Sequence, residues 1–113
     1  MFYKVFVTHF FVLPRAKATT WGPFIFIRPT AEEPEALIAH EKVHVKHFYR
    51  NPLFGLWYLF SKESRLKYEA EAYAVQAALV PERLPRFAYA LANNYRLNIT
   101  EEEALAAIRS YMK

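Results

Sequence analysis

Residues 33–50 read EPEALIAHEKVHVKHFYR, and this stretch decides how the rest of the chain is read. Thr30, followed three positions later by Glu33, has the spacing of a capping box, and Pro34 suits a first helical turn, where its missing N–H has no partner to lose. Asn51-Pro52 closes the segment, because a proline disfavours helical backbone in the residue before it. The spacing predicts a helix from about Glu33 to about Arg50. Within it stand His40, Glu41 and His44 as H-E-x-x-H, beside apolar Leu37, Ile38, Val45 and Phe48. Residues i and i+4 lie about 40° apart around a helix and one turn apart along it, so both imidazoles can converge on one metal ion. Glu41 falls about 100° from His40, at the edge of the same face, where it reaches a water on the ion rather than the ion itself.

Upstream, residues 2–13 (FYKVFVTHFFVL) are rich in aromatic and β-branched side chains and end at Pro14, a strand signature that includes His9. Residues 15–20 read as a polar connection, Trp21-Gly22-Pro23 as a turn, and residues 24–28 (FIFIR) as a second strand, whose following Pro29 suits an edge. The two strands are expected to form an antiparallel hairpin or part of a small sheet. Downstream, residues 53–60 form a hydrophobic connector or short helix. Ser61 or Ser64 caps a helix to about Val80, and another covers about Leu84 to Tyr95. Thr100 and Glu103 repeat the capping-box pattern and open a last helix to about Tyr111. The fold class is α+β: a small N-terminal hairpin or sheet followed by a mainly helical core, with residues 1–113 in a single domain.

Composition narrows the chemistry. Cysteine is absent, so disulfides and thiolate zinc sites are excluded and His and carboxylate remain as the strong metal ligands. A 54% hydrophobic content supports a packed core rather than disorder. Net charge is +4, which fits an anionic partner such as nucleic acid, a membrane surface or a cell-wall polymer; the Lys and Arg residues form no run and no nucleic-acid motif accompanies them, so no nucleic-acid partner is expected. No segment has the roughly 18–20 apolar residues that span a bilayer, and residues 2–13 lack a small-residue cleavage site, so no membrane partner is expected and a cytoplasmic location is. Two glycines, seven prolines and a single glutamine fit a thermophilic source.

Two histidines leave a catalytic zinc ion one protein ligand short. A longer H-E-x-x-H-x-x-G-x-x-H pattern is ruled out, because His47 and Arg50 occupy its glycine and final histidine positions. His47 shares a helical face with His44, but three side chains on one straight helix do not readily close a tetrahedron, so His47 is expected behind a ligand or beside the substrate. A carboxylate from another helix is the remaining solution, and the run Tyr68-Glu69-Ala70-Glu71-Ala72-Tyr73-Ala74 offers two. They lie about 200° apart around their helix, so they cannot both face one ion, and spacing leaves Glu69 and Glu71 both open.

The combination of His40-Glu41-x-x-His44 with Glu69-x-Glu71-Ala72-Tyr73 resembles the gluzincin metallopeptidases, whose second helix reads E-x-x-A-D or E-x-E-A-D. It is especially similar to the minimal zincin-like peptidases of bacteria and their phages, and the resemblance covers residues 18–76. It implies a Zn2+ cofactor held by His40, His44 and Glu69, with Glu41 as general base and a peptide or protein as substrate. Tyr73 departs from the pattern, standing where larger gluzincins place an aspartate that orients a ligand histidine; the Glu71 carboxylate or the tyrosine hydroxyl is then left to that task.

The mechanism so implied is zinc-dependent hydrolysis of a peptide bound in extended form along the free edge of the strand at residues 24–28. Tyr68, Tyr73 and His47 are candidate donors to the developing oxyanion. Trp57 and Tyr58 are expected to cap the core, and Arg83 and Arg86 to be solvated. The alternative is a zincin-like protein that binds metal without turnover and serves as an interaction partner, which Glu41→Ala would separate from an enzyme.

Overall fold

The sheet is built from four-residue strands: β1 (Lys4–Val7), β2 (Ala18–Trp21) and β3 (Phe24–Ile27). They belong to a computed structural model that describes residues 1–112. Gly22, at φ 60°, and Pro23 turn the chain between β2 and β3 so that Trp21 stands opposite Phe24. A glycine first and a residue of fixed negative φ second is the residue pattern of a type II′ hairpin. A Cβ at Gly22 would make only an ordinary contact with the Phe48 ring, at 3.7 Å, so the positive φ and not a lack of space calls for glycine here.

The strand order is β1-β3-β2, with β1 parallel and β2 antiparallel to β3. Three sequence expectations are corrected here. Both predicted strands belong to one small sheet, but the hairpin partner of residues 24–28 is β2, which overlaps the stretch read as a polar connection, and β1 joins on the other side in parallel. Residues 24–28 are therefore central, with both edges paired, and cannot offer a free edge to a peptide. Residues 8–13, including His9, leave the strand: the Phe10 N–H bonds the Thr8 hydroxyl, and Phe11 takes φ 64°. Their apolar character serves the outer sheet face instead, where Phe11 and Phe6 lie 5.2 and 5.1 Å from the ring of Phe26. Ile25 and Ile27 point the other way and are buried.

Helices complete the α+β fold: α1 (Pro34–Arg50), α2 (Phe54–Phe60), α3 (Lys62–Leu79), a 3-10 turn (Pro81–Arg83), α4 (Leu84–Asn94) and α5 (Glu101–Tyr111). Ser61 caps α3 by accepting from the Ser64 N–H, and Thr100 and Glu103 form the reciprocal capping box at α5. The box expected at Thr30 and Glu33 does not form. Pro34 is the first helical residue, so Glu33 falls at the cap itself, in left-handed backbone (φ 50°, ψ 59°), and its carboxylate pairs with Arg83. Arg83, expected to be solvated, ties the start of α1 to the turn after α3 and also meets Glu32 at 3.2 Å.

α3 lies between the rest of the molecule and a C-terminal core. Ala70, Ala74 and Ala77 join Phe87, Leu91 and Ile108 in that core, so these small side chains let α4 and α5 pack close to α3. The opposite side of α3 faces α1, and the polar residues of both helices meet there.

Candidate metal centre

α1 presents His40, Glu41, His44 and His47 on its buried side, and all four are under 7% exposed. Glu69, at 4% exposed, comes from α3 to meet them. His40 Nε2 and His44 Nε2 each stand 3.1 Å from the same oxygen, Glu69 Oε1. Ligand atoms 2.0–2.1 Å from a tetrahedral zinc would stand about 3.3 Å apart; both nitrogen–oxygen edges are close to that length, and all three ligand atoms lie within 4.8 Å of one another. Of the two glutamates left open by spacing, α3 turns Glu69 to the histidines; Glu71 goes to His47 Nε2, at 3.1 Å. His40, His44 and Glu69 are a buried group that can hold a metal ion.

Hydrogen bonding sets both imidazoles for that task. The Gln76 side-chain oxygen accepts from His40 Nδ1 at 2.9 Å, which leaves Nε2 of a neutral His40 with its lone pair toward the centre. A longer chain acts on His44. With Glu71 Oε1 accepting from His47 Nε2, the neutral His47 ring has its lone pair on Nδ1, which can accept from His44 Nδ1 at 3.4 Å. His44 Nε2 is then also a lone pair facing Glu69. Two nitrogen lone pairs and a carboxylate converge on one point, and such a point calls for a cation: a metal ion or, without one, a proton.

The titration behaviour follows. Burial pushes His44 down, but the Glu69 carboxylate beside it prevails and raises the metal-free imidazole to about 9. Glu69 is pushed up by burial and, more strongly, down by His44 and His40, to well below the usual carboxylate range. His47 is lowered by burial and by His44, against the pull of Glu71, which keeps it in the neutral form the relay requires.

Three more side chains complete the surroundings. Tyr58 on α2 donates its hydroxyl to Glu69 Oε2 at 2.6 Å, and burial together with that carboxylate raises its pKa, so it remains a donor. Thr20 on β2 donates to Glu41 Oε1 at 2.8 Å, while Glu41 Oε2 lies 3.7 Å from His40 Nε2. Phe54 on α2 lies parallel to the His44 ring, with centroids 6.3 Å apart.

Tyr58 was expected to cap the core and is instead part of the centre. Trp57, expected beside it, is 53% exposed. Thr20 was hidden in an apparent connection, and its contact with Glu41 is fixed only by the hairpin. Gln76 could have been found, since it lies seven residues after Glu69, two turns along the same helical face. Among the candidate oxyanion donors, the Tyr73 hydroxyl bonds that of Tyr95 at 2.8 Å while its ring meets His40 edge-on, His47 is engaged in the relay, and the Tyr68 ring packs on His47.

No family profile, curated protein or solved structure matches this chain.

Proposed function

We propose that the chain is a zinc-dependent peptidase of gluzincin type, in which His40, His44 and Glu69 hold the metal and Glu41 is the general base. The observation that carries this reading is the meeting of both Nε2 atoms with one Glu69 oxygen, 3.1 Å from each, beside a glutamate that is not part of the triangle. Two imidazoles and one carboxylate are the donor set of a catalytic zinc that keeps a position open, and the absence of cysteine leaves no competing thiolate site. The sequence pattern H-E-x-x-H followed by E-x-E-A-Y supports the same class.

A zinc ion held by these three residues would supply Lewis acidity and would make a water acidic enough to be activated near neutral pH. The residues of the chain divide the remaining work. Glu41 Oε2 accepts the proton released as the peptide carbonyl is attacked and returns it to the departing amine nitrogen. Thr20 holds the other Glu41 oxygen, so that Oε2 stays turned to the centre. Tyr58 holds Glu69 Oε2 and leaves Oε1 to the metal. Phe54 shields the histidines from water on the α2 side.

The peptide is assigned to β2 rather than to residues 24–28. β2 carries Thr20 to Glu41 and has a strand neighbour on one side only, so its outer edge is the one beside the general base that can pair with an extended chain. The test is hydrolysis of an unstructured peptide library by the zinc-loaded protein and by Glu41→Gln. Cleavage by the first, and its loss in the second with zinc retained, is the expected result. Equal cleavage by both, or none by a fully loaded protein, overturns the reading, and the latter outcome leaves a metal-binding interaction protein.

A further inference from the structure

α2 has two unlike faces. Phe54 and Tyr58, four residues apart, turn inward to His44 and Glu69. Leu53, Leu56, Trp57 and Phe60 follow the i, i+3, i+4, i+7 spacing of a single stripe, and all are more than half exposed, Phe60 at 84%. They line a shallow groove of about 200 Å³, and no residue of α2 is buried. A seven-residue helix that, together with Leu53 at its N-cap, leaves four large apolar side chains in one stripe on its outer face is an unusual arrangement for a free surface.

Along the chain, positive charge is concentrated in the segment that contains the same helix. Between residues 42 and 68 stand Lys42, Lys46, Arg50, Lys62, Arg65 and Lys67 against the single acid Glu63. That segment carries a net charge of +5 within a chain of +4, so everything outside it sums to −1. Arg50 and Lys62 bracket α2 in sequence, and both are exposed, as is Lys46 one turn earlier on α1. Leu, Trp and Phe on one face, with exposed basic residues flanking the helix in sequence, is the chemistry of a segment that lies in the interface of an anionic bilayer, apolar side chains among the acyl chains and cations at the headgroups.

We infer that α2 and its basic flanks form a docking surface for membranes rich in anionic phospholipid. The charge excess selects this occupant over an uncharged apolar partner and over a second copy of the chain, which would bring the same positive segments together. No helix among the described residues is long and apolar enough to cross a membrane, and a surface contact of this kind requires none. The inference is independent of the metal reading, since the stripe faces away from His44 and Glu69.

The test is co-sedimentation of the full chain with vesicles of phosphatidylglycerol and phosphatidylcholine, compared with phosphatidylcholine alone. Binding to the first and not the second, weakened by salt and indifferent to a chelator, is the expected result. Leu56→Gln with Phe60→Gln weakens it by at least about tenfold. Lys46→Gln with Lys62→Gln weakens it by about thirtyfold, at ~1 kcal/mol for each cation near an anionic surface. Leu79→Gln, at a position 58% exposed on α3, leaves it unchanged and controls for lost apolar surface in general. In a Trp21→Phe background, Trp57 emission shifts to the blue when anionic vesicles are added. Equal binding to both vesicle types, no binding to either, or a dimer dispersed by Leu56→Gln and Phe60→Gln without any vesicle binding overturns the inference.

Discussion

Thr20 on β2 donates its hydroxyl to Glu41 Oε1 on α1 across 2.8 Å, joining the sheet to the side chain proposed as the general base. A carboxylate held at one oxygen has a defined second oxygen, and here that second oxygen lies 3.7 Å from His40 Nε2. The small sheet thus positions the Glu41 carboxylate as well as covering α1. Thr20→Val keeps the shape of the side chain and removes the donor. It is expected to lower kcat by about tenfold to a hundredfold, the usual range for a supporting contact, with zinc affinity unchanged. Steady-state kinetics beside a zinc titration separates the two effects.

Tyr58→Phe leaves Glu69 Oε2 buried without its donor and frees the carboxylate to turn. Zinc affinity is expected to fall by about tenfold to a hundredfold, measured by competition with a chromophoric chelator. Unaltered affinity would show that α3 alone fixes Glu69.

His47→Ala interrupts the chain from Glu71 through His47 to His44 and leaves the His44 tautomer unset. Zinc affinity is expected to fall by about tenfold or more, whereas Glu71→Gln, whose amide oxygen still accepts from His47, is expected to retain most of it. Equal losses in both variants would mean that the Glu71 charge, rather than the relay, supports the site.

In the metal-free protein His44 is raised from 6.5 to about 9, so its protonated form stabilises the fold. That contribution is complete below pH 6.5 and is lost as pH rises through 9. Zinc must displace the same proton, so apparent zinc affinity is expected to rise by about tenfold per pH unit within this window and to level off above it. Chemical denaturation of metal-free protein and zinc competition, both run across pH, should show opposite trends.

At the far end of the chain, Thr100→Ala removes one half of the α5 capping box. A loss of about 1 kcal/mol in unfolding free energy is expected, with zinc affinity untouched, because α5 meets the α3 core and not the histidines.

What could be read in the sequence follows from the range of the interactions involved. α1 was legible because its spacing, its proline and its terminal Asn51-Pro52 are all local, and the H-E-x-x-H geometry needs only one helix. The caps at Ser61 and Thr100 were legible for the same reason. The apparent box at Thr30 misled because Glu33 satisfied the pattern locally while Arg83, fifty residues away, claimed its carboxylate. The sheet was misread because parallel pairing of β1 with β3 is non-local, and because the aromatics of residues 8–13 cover a sheet face instead of extending a strand. The three-residue group was legible in two ways: two of its corners share a helix, whereas spacing left Glu69 and Glu71 both open and only the E-x-E-A-Y resemblance chose Glu69, the glutamate that α3 turns to the histidines. Tyr58 carried no signal, since an aromatic in an apolar run looks like packing until the helix bearing it is laid across the site.

The central claim is most directly tested by zinc stoichiometry, measured by native mass spectrometry on protein loaded with zinc and then dialysed, alongside His40→Ala and Glu69→Ala. One zinc ion per chain in the parent protein, and none in either variant while both stay folded by circular dichroism, is the predicted result. A parent protein that retains no zinc, or a Glu69→Ala variant that retains it as well as the parent, would contradict the account.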